Sequence, residues 1–278
     1  MITIKRLLAT TRATFANPRA LAIFAVLYAL LLASLYAFVA TREATIWQVA
    51  ITLLFLVLAP AEFFILQSSI LAHARGDNFH WRGILIDSCK LFVVTIPILI
   101  IGYVLFVLLN KWQVHFPAPR PPITFPPALL KAQPLHWPTL LFATAKFLLF
   151  GIVLPLATIH LWIEVAAPNL RTLVSDGAGG TLKRLGEVIA RAFASQSVLT
   201  YALGLIVFAL IPYALLFVHI PVKGTKTDFA IFIARLALVF VFTFFGWIVT
   251  IGALMRNATG APEARLSGVP SAATALGC

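Results

Sequence analysis

The chain has 278 residues, 61% of them hydrophobic and 11% charged, with a mean hydropathy of +0.99. Such a composition excludes a soluble globular protein and puts the chain in a bilayer. Its two cysteines, Cys89 and Cys278, exclude a disulfide-stapled scaffold and a thiolate metal site, and a net charge of +12 dispersed along the edges of apolar runs argues against a nucleic-acid ligand.

Taken in chain order, residues 4–15 set Ile4, Leu7, Leu8 and Phe15 on one helical face and Lys5, Arg6 and Arg12 on the other, which predicts an amphipathic helix lying at the membrane surface. Six apolar runs then meet the length of about 20 residues needed to cross about 30 Å of hydrocarbon. They cover approximately 20–40, 46–72, 87–110, 140–166, 198–221 and 229–255. The first is too long for the apolar region of a signal peptide and reads as a retained anchor. Within it Ala25, Ala29, Ala33 and Ala37 recur every four residues, a smooth stripe expected to face another helix or a protein partner. Pro60, Pro97, Pro155 and Pro212 predict kinks in spans two to five.

The connections differ in character. Residues 75–90 hold Phe79, Trp81, Ile84 and Leu85 among Arg75, Arg82 and Lys90, and read as a looser surface segment before the third span. Residues 111–139 hold eight of the seventeen prolines and predict an extended outer spacer, the second place where a protein partner is expected. Asp176-Gly177-Ala178-Gly179-Gly180 lacks the Lys-Ser/Thr ending of a nucleotide loop and reads as a hinge. Residues 182–193 repeat the design of 4–15: a shift of 178 positions matches Lys5 to Lys183, Arg6 to Arg184, Leu7 to Leu185 and Phe15 to Phe193. The tail, 256–278, is expected to be disordered. The expected architecture is therefore all-α and polytopic, one six-span domain over 1–255 with interfacial amphipathic helices. It divides into three units of surface helix plus hairpin, beginning near 1, 73 and 169.

Lys and Arg set the orientation. With the N-terminus in the cytoplasm, thirteen basic residues lie inside against six outside, so both termini are expected in the cytoplasm and anionic inner-leaflet lipid is the expected contact. Trp47, Trp112 and Trp137 fall at outer ends of spans, and Trp81, Trp162 and, deeper, Trp247 toward inner ends, as headgroup-seeking indoles should. The starts Lys5-Arg6-Leu7-Leu8 and Lys183-Arg184-Leu185, with Ala74-Arg75-Gly76-Asp77 leading to Trp81-Arg82-Gly83-Ile84, give a layout that resembles a group of bacterial inner-membrane proteins. That group includes the membrane domain attached to some glycerophosphodiester phosphodiesterases. The resemblance implies a bacterial-type inner-membrane location and transfers no catalytic residue, since the family's hydrolase domain has no counterpart in these residues.

Ionisable residues inside spans are the strongest site pointers, because each costs about 2.5–3.5 kcal/mol to insert. Lys146 and Arg235 lie about 9 Å below the outer edge, within snorkelling reach of the headgroups. Glu62 lies about 15 Å from the inner end, too deep to snorkel, and must be paired, protonated or facing water. Thr95, His160 and Gln67 are its expected neighbours. Two readings stay open: Glu62 and His160 as the polar centre of an inward-facing cavity that exchanges protons, or a neutral Glu62 bonded to a kink carbonyl. No His-Glu-x-x-His or Gly-x-Ser-x-Gly occurs, so no catalysis, metal or cofactor is expected. The expected role is a non-catalytic accessory, assembly or lipid-contacting component, with a small permease built around Glu62 as the alternative.

Overall fold

The computed structural model describes residues 2–41, 45–77, 79–117, 136–166, 177–218 and 224–259. Among these it contains eight helices and no strand: α1 (Ile2–Phe15), α2 (Pro18–Ala40), α3 (Ile46–Arg75), α4 (Trp81–Gln113), α5 (Trp137–Ala166), α6 (Gly177–Ala192), α7 (Ser195–Leu216) and α8 (Thr225–Thr259). The six helices other than α1 and α6 are long and apolar enough to cross a membrane, which makes the chain an all-α, multi-pass membrane protein.

Local chemistry sets the helix ends. The Asn17 side chain accepts the Ala20 amide at 3.1 Å while Pro18 supplies a preset first turn, so α1 and α2 are separated by a cap rather than by a loop. Gly76, at φ 81°, takes the left-handed conformation that closes α3, and its amide reaches the Ala72 and His73 carbonyls. This corrects the reading of residues 75–90 as a third surface helix. Arg75 is the last residue of α3, Trp81 opens α4, and no breaker interrupts the run from Trp81 into the span. Among the described residues only α1 and α6 are separate short helices, so there the helix-plus-hairpin unit occurs twice in this form and not three times. Gly177–Gly180, read as part of a hinge, instead form the first turn of α6. Most of the proline-rich spacer (118–135) and of the tail (260–278) lies outside the described residues.

Burial is one-sided along the spans. Call the end carrying α1 and α6 proximal. Buried side chains gather there: Leu66–Ala72 on α3, Ile84 and Leu91 on α4, Leu156, Ile159, His160 and Trp162 on α5, Ser197, Thr200 and Tyr201 on α7 and Ile248–Met255 on α8. The distal halves carry large exposed apolar residues such as Val57, Leu99, Leu141, Ile211 and Phe242. In lipid this costs nothing, because hydrocarbon is as apolar as the side chains; helices stay together only where packing or hydrogen bonds hold them. The bundle is thus knit proximally and open distally.

Two expectations about packing change. The alanine stripe of α2 is not its packed face: Phe24, Leu31 and Ser34 are buried and α2 packs chiefly on α3, while Ala25, Ala29 and Ala33 stay exposed. The Phe24 ring, 5.5 Å from His73 and 6.4 Å from Phe79, fills the seam that the small residues were expected to make, and turns them toward α8. There Ala25 and Ala29 border an apolar gap of about 560 Å³ with Phe240 and Phe244. The prolines also divide. α3 and α4 run unbroken through Pro60 and Pro97, whereas five-residue π turns, Leu149–Val153 and Ile206–Leu210, stand just before Pro155 and Pro212. A widened turn relieves the clash of the proline ring with the carbonyl four residues back. For Pro155 that carbonyl is Gly151, and the Tyr201 hydroxyl of α7 donates to it at 3.0 Å.

α7 and α8 pack closely at two glycines. A Cβ on Gly204 would stand 2.3 Å from Thr250 Oγ1, and one on Gly246 would stand 2.0 Å from Phe208 Cβ. Two glycines on facing helices therefore permit a backbone approach that any side chain would prevent.

Candidate functional site

α3, α4, α5 and α8 surround a cleft of about 500 Å³, within the range of small-molecule and lipid sites. Its proximal floor is built from hydrogen-bonded indoles. Trp162 Nε1 donates to Thr95 Oγ1 at 2.8 Å, and Thr95 in turn donates to the Leu91 carbonyl at 2.6 Å. Trp247, beside it, donates from Nε1 to Gln67 Oε1 at 2.7 Å. Gly102 on α4 faces Leu154 on α5, where an added Cβ would meet Leu154 Cδ1 at 3.2 Å, so the missing side chain leaves the shaft open. Phe106 and Phe150 flank the distal part with ring centroids 5.9 Å apart. Along α4 the lining runs from Thr95 to Phe106, about 16 Å at 1.5 Å per residue, the depth of one leaflet of a core about 30 Å thick.

A cation stands at the distal mouth. Lys146 Nζ lies 5.9 Å from the Phe106 ring centroid and donates to Asn110 Oδ1 at 2.7 Å and Gln113 Oε1 at 2.6 Å. Gln113 is the last residue of α4, so the ammonium reaches the distal end of that helix rather than the middle of its own. Arg235 does the equivalent on α8, donating from Nη1 to the Val218 carbonyl just beyond α7.

Of the four residues expected to form one polar centre, three are instead held in separate bonds. Gln67 ties α3 to α8 and Thr95 ties α4 to α5, as above. His160 is buried, with Nδ1 3.0 Å from the Leu156 carbonyl and Nε2 3.2 Å from Ser197 Oγ on α7. Because a carbonyl only accepts, Nδ1 is the protonated nitrogen of the neutral ring and Nε2 receives the serine proton. Both nitrogens are committed, so His160 is not the partner of Glu62. Glu62 is half-buried on α3, its Oε2 is buried with no hydrogen-bond partner, and it lines neither the α4–α5 cleft nor the α2–α8 gap. Replacing it tests whether it matters: Glu62→Gln is expected to leave thermal stability and lipid retention within error of wild type, and loss of either in a folded variant would place it in the function.

Sequence reasoning missed Trp162, Trp247, Tyr201 and Ser197 as hydrogen-bonding members of the core. The two tryptophans were assigned to the headgroup level; Trp162 is 4% exposed, and both indoles bond to polar side chains on neighbouring spans. A Thr or Gln at matching depth, Thr95 or Gln67, was the available signal. Trp47, Trp112 and Trp137, by contrast, are exposed near distal helix ends and Trp81 near a proximal one.

The fold and cleft define a multi-pass all-α membrane protein with an apolar cleft between its spans. Compared with known protein families, with curated proteins and with solved structures, the chain matches none.

Proposed function

We propose that this chain is a non-catalytic, lipid-contacting component of a bacterial-type inner membrane, with both termini cytoplasmic, that holds a phospholipid acyl chain from the distal leaflet between α4 and α5. The observation that carries the reading is the cleft itself: apolar walls, an extent of about one leaflet, and an ammonium at its distal mouth where a phosphate would lie. α1 and α6 support the membrane placement. Ile4 and Leu8 on α1, and Leu185 and Ile189 on α6, are largely exposed, as expected of helices resting in the interface. The proximal end is cytoplasmic in this reading because it carries the basic excess. The layout shared with membrane domains of glycerophosphodiester phosphodiesterases belongs to the same proposal.

Thr158 lines the cleft and its hydroxyl donates only within α5, to the Leu154 carbonyl at 2.7 Å, so it can be enlarged without breaking a contact between helices. Thr158→Phe is expected to cut the phospholipid retained after mild delipidation by about threefold, counted by native mass spectrometry, with unfolding temperature preserved. Equal retention in a folded variant contradicts the reading.

One observation favours a second reading. A carboxyl oxygen buried without a partner in mid-span, Glu62 Oε2, is costly and suits a small proton-coupled permease. Uptake assays on Glu62→Gln in vesicles separate the two, since the lipid-contacting reading requires no transport at all.

A further inference from the structure

At the distal mouth of the α4–α5 cleft the polar side chains are held so that they present donors. An ammonium carries three N–H bonds and no lone pair, so every group it bonds to must accept. The two amide oxygens that Lys146 Nζ reaches, Asn110 Oδ1 at 2.7 Å and Gln113 Oε1 at 2.6 Å, are therefore fixed facing it. Both amide NH2 groups then point away from the ammonium. Among the described residues neither they nor the third ammonium proton has a protein acceptor.

The nearby acceptors are already in use. The last four carbonyls of α4 take bonds at the helix end: Asn110 from the Val114 amide at 3.3 Å, Lys111 from the His115 ring at 3.0 Å, Trp112 from the His115 amide at 3.1 Å and Gln113 from the Phe116 amide at 3.0 Å. No carboxylate comes from these helices either, since from Ser88 to Ile163 the sequence holds no Asp or Glu. Lys146 is thus tied by neutral partners, which leave its charge in place, rather than by a counter-ion, which would cancel it. Snorkelling alone would leave the ammonium in water; two amides instead hold it half-buried, 5.9 Å from the centroid of the Phe106 ring that lines the cleft.

We propose that this mouth selects the lipid by its headgroup, taking anionic phospholipid such as phosphatidylglycerol over zwitterionic phosphatidylethanolamine; this rests on the reading that the cleft holds a lipid chain. A phosphate accepts from the ammonium and from the amide N–H groups together, and the charge-assisted bond is the stronger. A glycerol headgroup adds hydroxyls, which accept as well as donate. Ethanolamine adds an ammonium, which brings three more donors and a like charge to a cluster of donors.

The test uses the full chain in detergent, with phosphatidylglycerol and phosphatidylethanolamine of matched acyl chains and inorganic phosphate as probes. Native mass spectrometry is expected to find phosphatidylglycerol retained about fivefold better. Gln113→Glu is isosteric and keeps an oxygen for Lys146, but it turns an outward donor into an acceptor and cancels the charge, so the preference should vanish or invert. Lys146→Met should abolish it as well. A preference that survives in both folded variants overturns the proposal, because it then arises from basic residues elsewhere on the chain. Thr158→Phe separates selection from chain binding: it should lower retention of both lipids and leave their ratio unchanged. If it lowers retention while wild type takes the two lipids equally, the cleft holds a chain and the mouth does not select. If the preference follows Gln113 and Lys146 while Thr158→Phe changes nothing, headgroup selection stands and the chain-holding reading is the one that fails. If inorganic phosphate raises the unfolding temperature of wild type but not of Lys146→Met, and neither lipid is preferred, the anion comes from solution and the headgroup source is overturned.

Discussion

Gly246→Ala should lower the unfolding temperature of the detergent-solubilised protein by about 10 °C, the largest effect expected of a single methyl group in this chain. The new Cβ would lie 2.0 Å from Phe208 Cβ and 2.4 Å from Phe208 Cγ, far inside contact distance. The obstructing Cβ is fixed to the α7 backbone, so rotation of the ring does not relieve the clash. That backbone is already committed: Phe208 lies in the π turn Ile206–Leu210, four residues before Pro212. α7 must then move off α8, which strains the His160–Ser197 and Tyr201–Gly151 hydrogen bonds on its other contacts. Overpacking of this kind costs about 3 kcal/mol. Gly204→Ala is the milder partner, because its Cβ would meet the Thr250 hydroxyl at 2.3 Å and a side-chain rotation absorbs part of the clash. An unchanged melting temperature for Gly246→Ala would mean that α7 and α8 stand farther apart than described.

Arg75→Ala should be the most damaging loss of a charge. Its guanidinium joins the end of α3 to the first turns of α4 by reaching Asp77 at 2.9 Å and Asp87 at 3.2 Å, while Lys90 reaches Asp87 at 2.8 Å. The Arg75 and Asp87 side chains are each 17% exposed, so water cannot replace the lost partner fully. Asp77 is 53% exposed and contributes little. Removing the arginine leaves Asp87 with Lys90 alone at the membrane edge, at a cost of about 1–3 kcal/mol and a fall of about 5 °C in melting temperature. The double variant Arg75→Ala with Asp87→Ala should be more stable than Arg75→Ala alone, since it removes the carboxylate left short of a partner. If the double variant is less stable than the single, the pair is not what joins these helices.

How far the sequence spoke for the structure depends on what each feature rests on. The spans were legible because crossing hydrocarbon imposes a length that any apolar run reveals, and Pro18–Ala40 and Ile46–Arg75 begin within two residues of the runs at 20 and 46. α1 and α6 were legible from charge on one face and apolar residues on the other. The packed faces were not. Between lipid-bathed helices, burial no longer marks the interface, so the smooth alanine stripe of α2 was as good a candidate as the Phe24 face and lost to it. Pro60 and Pro97 look like Pro155 and Pro212 in sequence; what distinguishes the second pair is a neighbour at the widened turn, Tyr201 on the Gly151 carbonyl and Gly246 under Phe208. The candidate polar centre failed for a related reason. Depth alone grouped Glu62, His160, Thr95 and Gln67, but rotation about each helix axis gave three of them to different partners: Ser197, Trp162 and Trp247.

The phospholipid chain proposed for the α4–α5 cleft is tested most directly by photocrosslinking in membranes. A phospholipid bearing a photoreactive group along its acyl chain, mapped by peptide mass spectrometry, should concentrate its adducts on Gly102, Phe106, Phe150 and Leu154. Thr158→Phe should remove those adducts. Adducts spread evenly over open lipid-facing positions such as Val57 and Phe242, with none enriched in the cleft, would contradict it.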